Sequence, residues 1–384
     1  MYIHELYVKN FRGISEKKLL FHEGINIIRG PSSSGKTSLV DSLLFLQRFS
    51  LNPTLTLEYL LNVWFGEAIV YRKAKEFEIM IQTIEGEQRS YFGLRVNISR
   101  DKIREFYIVK DTYFIVDGGD LYAQDIRAVK KKPANYSYEE TNIWDQIPIR
   151  SHKLAFTKLP WKTIAGMISH EASYYGYDVA LEKAPYVLSR VLVSKTDLSG
   201  EARNLMINRL IDLFKYAFKL HRLFRRSVII KSIDFKNAVG PTKLRGYVVD
   251  PHFSNLPWII YTLHEKGSID ELFDCLNKIG VNESLSGVSK TVDQRYYLII
   301  NSGGREIVRE GIPTNFIKLL TICTAACYSK KLIVIDDFDE FLDENLVHAL
   351  LKTLLTFNKQ FILTTRHPYT FKNLDERINL IGIT

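Results

Sequence analysis

The stretch GPSSSGKT at residues 30–37 decides how the rest of the chain is read. It fits the pattern G-x-x-x-x-G-K-[ST], in which two glycines let the backbone turn tightly and aim its N–H groups at phosphates. On that pattern Gly30, Pro31, Ser32, Ser33, Ser34, Gly35 and Ser38 form the cradle. Lys36 brings a cation to the β- and γ-phosphates, and the Thr37 hydroxyl ligates Mg2+. GINIIRG before the loop is a short apolar strand, and SLVDSLLFLQRF after it has helical spacing. Strand, loop and helix thus come in the order such a site requires, and ATP and Mg2+ are the expected cofactors.

A loop of this kind needs an acidic partner at the end of a neighbouring strand. KLIVIDD at 331–337 supplies it, a β-branched run ending in Asp336, which is expected on the Mg2+ side. A third run, QFILTT at 360–365, ends in Arg366 and His367. It is expected to lie beside the other two and to bring a polar or cationic group to the γ-phosphate.

The 384 residues are enough for two or three domains, or for one core carrying an insertion. The longest apolar runs, such as LIVI and WII, fall far short of a membrane span, so no membrane partner is expected. MYIHELYVKNF alternates like a strand and lacks the apolar core of a signal peptide, which implies a cytoplasmic chain. The three cysteines show no zinc spacing; Cys323 and Cys327 stand one helical turn apart in apolar sequence and read as buried thiols, with no structural metal. A net charge of +9 leans towards a polyanionic partner.

Residues 69–119 carry alternating segments, EFEIMIQTI, RSYFGLRVNI, REFYIVKD and TYFIVDGG, that read as an antiparallel sheet. AVKKKPANYSYEETN marks a boundary near residue 130. Beyond it, Met206, Leu210, Leu213, Ala217, Leu220 and Phe224 alternate by four and three, but for under three heptads, so a core helix is expected rather than a long coiled coil. Across 203–236 there are nine Lys or Arg against two Asp. Lys215, Lys219, Arg222, Arg225 and Arg226 on this helix are the candidate contacts to double-stranded DNA, made through phosphates and without reading sequence. The bland alternative is a solvated helix face.

The opening IHELYVKNFRGISEKKLLFHEGINIIRGPSSSGKTSLVDSL resembles the start of the ABC-type ATPase heads of the SMC, RecF and OLD superfamily, and IDDFDEFLDEN is similar to the SMC pattern D-E-x-D-x-x-L-D. The resemblance covers about residues 1–120 and 250–384. It implies an α/β P-loop NTPase head, with a mixed sheet core, an antiparallel β subdomain and a mainly helical insertion. The expected parts are an N-terminal lobe at 1–130, a basic insertion or short arm at 131–240, and a C-terminal lobe at 241–384. It further implies that Arg12 approaches the nucleotide phosphates, that Asp337 takes the catalytic Glu position, and that Asp343 crosses an ATP-dependent homodimer interface. Gly311 matches the signature glycine; Arg309 stands where a Ser is expected. Arg309 reads either as a donor to a γ-phosphate across the dimer or as a solvated loop residue. The usual Thr-Thr-His switch reads Thr364-Thr365-Arg366-His367, and either Arg366 or His367 serves.

These departures point to slow hydrolysis. The absence of an extended arm suggests the short SMC-related organisers of archaeal chromosomes, the coalescin type, acting at the nucleoid or in DNA repair. Two rivals remain open: an OLD-like defence ATPase working with a separate nuclease chain, and a non-hydrolysing, ATP-gated module that binds only protein.

Overall fold

The computed structural model describes residues 1–51, 69–72, 74–100, 102–110, 112–117, 120–125, 157–159, 182–186, 188–189, 200–238, 250–291, 293, 295–307, 311–367 and 375–384. Two compact units form, one from 1–74 together with 221–384 and one from 75–220. The loop-bearing and acid-bearing pieces of sequence therefore share one unit, although more than a hundred residues separate them. The division differs from the three consecutive parts read from the sequence, because strands after residue 75 group with the second unit.

In the first unit, β1 (Tyr2–Phe11) and β2 (Ile14–Leu20) form an antiparallel hairpin, with Phe11 opposite Ile14 across the turn. β3 (Ile25–Arg29) runs into the glycine-rich loop, and α1 (Lys36–Leu51) leaves it. The second unit contains the antiparallel run β4 (Glu76–Glu85), β5 (Gln88–Asn97), β6 (Lys102–Val109), β7 (Thr112–Asp117), β8 (Asp120–Asp125) and β9 (Thr157–Leu159). The alternating segments of the sequence are therefore strands. α2 (Gly200–Arg225) follows, and Leu210, Leu213, Leu220 and Phe224 are buried along it as a core stripe. In the second unit the buried Tyr216 accepts a hydrogen bond from Thr83 at 3.2 Å.

The first unit continues with β10 (Val228–Ile230), α3 (Phe235–Ala238), α4 (Leu256–Glu265), α5 (Ile269–Ile279) and a small antiparallel sheet, β11 (Glu283–Lys290), β12 (Tyr296–Ser302) and β13 (Arg305–Ile307). α6 (Thr314–Tyr328), β14 (Leu332–Ile335), α7 (Glu344–Leu354), β15 (Gln360–Thr365) and β16 (Ile378–Gly382) complete it. Its five-stranded parallel sheet has the order β10-β14-β15-β3-β16. LIVI and FILTT are buried along their whole length, as expected for a parallel sheet covered on both faces.

Asn26 is a buried polar residue built into this sheet. The Asn26 side chain donates to the carbonyls of His22, Gly24 and Phe361 at 2.9, 3.1 and 3.1 Å, and its oxygen accepts from His22 N at 2.7 Å. A buried amide with its bonds satisfied fixes the register of β3 against β15 rather than weakening the sheet. Among the described residues no helix is long and apolar enough to cross a membrane.

Candidate nucleotide site

The site lies at the carboxyl ends of the parallel strands, where open α/β sheets collect loops. The sequence predicts the three runs side by side, and the structure adds their order: β15 lies between β3 and β14. Its last residues, Thr364 and Thr365, thus stand between the glycine-rich loop and the acidic turn.

Backbone shape requires both glycines of the loop. A Cβ on Gly30 would lie 2.5 Å from the Ile383 carbonyl oxygen and 2.8 Å from Ser34 Oγ. Gly35 has φ +94°, in the left-handed region, and a Cβ there would meet Ile14 at 3.0 Å. Ile383 is held against the loop because its N–H donates to Arg29 O at 2.8 Å. Lys36 is buried and curls back, its ammonium donating to the Gly30 and Pro31 carbonyls at 2.6 and 2.9 Å. Ser38 Oγ accepts from Gly13 N at 3.3 Å, which ties the β1–β2 turn to α1.

Opposite, the Thr37 hydroxyl hydrogen-bonds the Asp336 carboxylate. Thr364 Oγ1 donates to Asp336 Oδ1 at 2.5 Å and accepts from Asp337 N at 2.8 Å, so one hydroxyl sets both aspartates. Burial pushes the Asp336 carboxyl above its ordinary value, and the bonds from Thr364 and Thr37 act in the other direction. The donor set suits Mg2+ and phosphate. A hydroxyl and a carboxylate in contact are hard oxygen ligands, Lys36 is a point cation, and the Ser34 hydroxyl is buried without a hydrogen-bond partner.

Asp337 has φ +45°, unusual for a residue other than glycine. Its carboxylate pairs with Arg366 at 2.6 Å, and its carbonyl accepts from Lys318 Nζ at 2.8 Å. Of the two switch candidates, Arg366 pairs with the Asp337 carboxylate. The His367 backbone N–H donates to Thr365 Oγ1 at 3.1 Å, and the charge of its side chain bears on Asp339. Arg366 is 61% exposed, so the pair is open to solvent on its cationic side.

Arg12, at φ +49° in the hairpin turn, pairs with Asp41 of α1 at 3.0 Å. Asp41 is fully buried and also pairs with Lys231 at 3.0 Å. Gly311 is exposed three residues before α6, and a Cβ on it would lie 2.5 Å from Ile307 Cγ2. The Asp343 side chain caps α7, accepting from Leu346 N at 2.9 Å. Arg309 lies outside the described residues. Lys215, Lys219, Arg222, Arg225 and Arg226 are all on or just beyond α2, at least partly open to solvent, and Lys219 pairs with Glu85.

Two residues that sequence reasoning passed over belong here. Asp339 is buried, is bonded by the Thr365 hydroxyl through one oxygen, and has its Oδ1 buried without a hydrogen-bond partner. It occupies the third acidic position of the D-E-x-D pattern, which is the signal that could have found it. Lys318 sits inside an apolar helix, where no periodicity marks it.

Residues 1–158 match the AAA_15 family model, described as an AAA ATPase domain. The DNA replication and repair protein RecF of Francisella tularensis subsp. novicida (strain U112) is 39% identical over 74 residues, 19% of this chain and 21% of that protein. The match thus spans about a fifth of that curated relative's length. Among solved structures, an SMC head domain with an extended coiled coil from Pyrococcus furiosus, bound to the C-terminal domain of ScpA, is 14% identical with a TM-score of 0.45, covering 99% of this chain and 93% of that one. The SMC head domain from Thermotoga maritima is 11% identical with a TM-score of 0.39, covering 100% of this chain and 95% of that one.

Proposed function

We propose that this chain is an ATPase head of the SMC/RecF type, that it binds Mg-ATP at the 30–37 loop, pairs head to head around two nucleotides, and grips DNA without reading its sequence. The observation that carries this reading is the meeting of Asp336 and Asp337 at Thr364, with Thr37 on Asp336 and Lys36 in the glycine-rich loop, at the carboxyl ends of three adjacent strands. Lys36 leaves the Gly30 and Pro31 carbonyls for the β- and γ-phosphates, and the loop N–H groups hold their oxygens. Thr37 and Asp336 are the residues that would hold Mg2+, which would offset phosphate charge there.

Asp337 is the candidate general base. It takes a proton from a water that attacks the γ-phosphorus, the bond to the β–γ bridging oxygen breaks, and ADP and phosphate leave. Its carboxylate is first engaged by Arg366, and Asp reaches one methylene less far than Glu. Both features favour slow turnover, with a clamp as the main output. Arg12, Gly311 and Asp343 are assigned to the nucleotide and the partner copy on the resemblance alone. The solvent-facing cations of α2, together with a relative named for DNA replication and repair, support DNA as the polyanion.

The test uses one preparation, with and without Mg-ATP, for nucleotide binding, sedimentation, DNA gel shift and phosphate release. Wild-type protein is expected to bind ATP, shift from monomer to dimer and retard DNA at low salt, while Lys36→Ala does none of these in response to ATP. ATP binding by Lys36→Ala at wild-type affinity overturns the site. An unchanged DNA mobility at low salt overturns the DNA reading.

A further inference from the structure

Lys318 is the sole charged residue in the buried run Phe316–Cys327 of α6, and it is 2% exposed. Lysine is almost never so buried unless it is paired. Its neighbours Phe316, Ile317, Leu319 and Leu320 are core residues, so an apolar side chain would suit the packing equally well. Its ammonium instead reaches across to the acidic turn and donates to the Asp337 carbonyl oxygen at 2.8 Å. Four carboxylates favour its charge, those of Glu340, Asp337, Asp339 and Asp336, against the burial that disfavours it.

The residue it holds is a strained one. Asp337 keeps φ +45°, and three contacts fix it: its N–H on Thr364 Oγ1, its carboxylate on Arg366, and its carbonyl on Lys318. Thr364 and Arg366 both belong to the β15 end, whereas Lys318 comes from a helix that starts three residues after Gly311. Lys318 sits in the second turn of that helix, so a shift of the helix start is carried directly to the Asp337 peptide.

From this geometry we infer that Lys318 is a positioning residue for hydrolysis, setting the Asp337 carboxylate by holding its peptide and linking it to the Gly311 end of α6. The inference rests on the reading of Asp337 as the general base. It adds a residue acting through Asp337, and it makes the Gly311 segment a lever on the base rather than only a surface.

The test compares Lys318→Met, which keeps length and apolar bulk, with Lys318→Gln, which keeps an N–H donor without the charge. Asp337→Asn is run in parallel, and ATP affinity, melting and single-turnover phosphate release are measured. Lys318→Met is expected to lower the hydrolysis rate by roughly 10- to 100-fold, the scale of a small misplacement of a reacting group, with ATP affinity changed less than about threefold. Lys318→Gln is expected to recover part of that rate.

Lys318→Met turning over at the wild-type rate, while Asp337→Asn is inactive, overturns the role of Lys318 and leaves the general base standing. An active Asp337→Asn overturns the base itself. If Lys318→Met fails to fold, Lys318→Gln decides by the same comparison. If neither variant binds ATP, Lys318 is a folding residue and the inference fails.

Discussion

Replacing Thr364 by valine tests the site at its narrowest point. The side chain is fully buried, and valine keeps its shape while removing the hydroxyl. Two bonds disappear. The Asp336 carboxylate loses a donor at 2.5 Å, a charge-assisted bond that contributes about 1.5–3 kcal/mol. The Asp337 N–H loses its acceptor at 2.8 Å and is left buried, at a cost of about 1–3 kcal/mol. Asp336 keeps the Thr37 hydroxyl, so the sum belongs near the lower part of the range, about 3 kcal/mol.

The loss should depend on pH with a fixed sign. Burial raises the Asp336 carboxyl above its ordinary 3.8, so the folded state holds that proton more tightly than the unfolded chain, and ionised Asp336 weakens the fold. Removing a bond to the ionised form raises it further. The extra destabilisation of Thr364→Val is thus full where Asp336 is ionised in both folded proteins and shrinks as pH falls through their two raised values, which both lie above 3.8. Urea unfolding at neutral and at mildly acid pH measures both effects, with Thr364→Ser, which keeps the hydroxyl, as the control. A Thr364→Val protein within about 1 kcal/mol of wild type at neutral pH would refute the reasoning, because two buried bonds cannot be removed so cheaply.

Gly30→Ala should abolish ATP binding by equilibrium titration while the chain stays folded, because the Ile383 carbonyl at 2.5 Å is backbone and cannot swing aside; normal affinity would show that the loop tolerates the clash. Cys275, Cys323 and Cys327 are 2%, 0% and 2% exposed, and burial pushes Cys323 well above the ordinary thiol value and Cys327 up to about 12. A thiol reagent should therefore label the native chain only at the rate of unfolding, and fast labelling without denaturant would contradict this packing. A combined Arg222→Ala, Arg225→Ala, Arg226→Ala protein should bind DNA with a salt dependence shallower by about 0.9 in log–log slope for each phosphate that it no longer neutralises. An unchanged slope in gel shifts at several salt concentrations would move the DNA surface elsewhere.

Much of the fold was legible because its parallel strands are short apolar runs bounded by motif residues. GINIIRG, KLIVIDD and QFILTT became β3, β14 and β15 with their ends close to the expected positions. Their order was not legible, since periodicity fixes which residues are buried and not which strand lies beside which. That order matters here: with β15 in the middle, Thr364 becomes the hinge between the aspartates. The pairing of Arg366 with Asp337 also needed coordinates, because a one-residue slip leaves the sequence pattern equally satisfied. Lys318 was hidden for a related reason. A lone cation in a helix reads as a solvated face until a partner 19 positions away shows that it points inward.

The acidic turn draws these pieces together. Asp336, Asp337 and Asp339 are all buried within four residues, an arrangement that repels itself and costs stability unless each charge is met. Each is met from a different direction: Asp336 by Thr37 and Thr364, Asp337 by Arg366 and the Lys318 bond at its carbonyl, and Asp339 by Thr365. The partners belong to the loop helix α1, to α6 behind Gly311, and to the end of β15. No rearrangement of any of these leaves the turn unchanged, because the charge it would uncover is buried. On the proposed function, a turn so balanced registers nucleotide at the loop and a partner's contact at the α6 start within the same few residues. On the proposed reading of Asp337 as the general base, aspartate rather than the longer glutamate keeps that balance tight at the expense of reach towards a water.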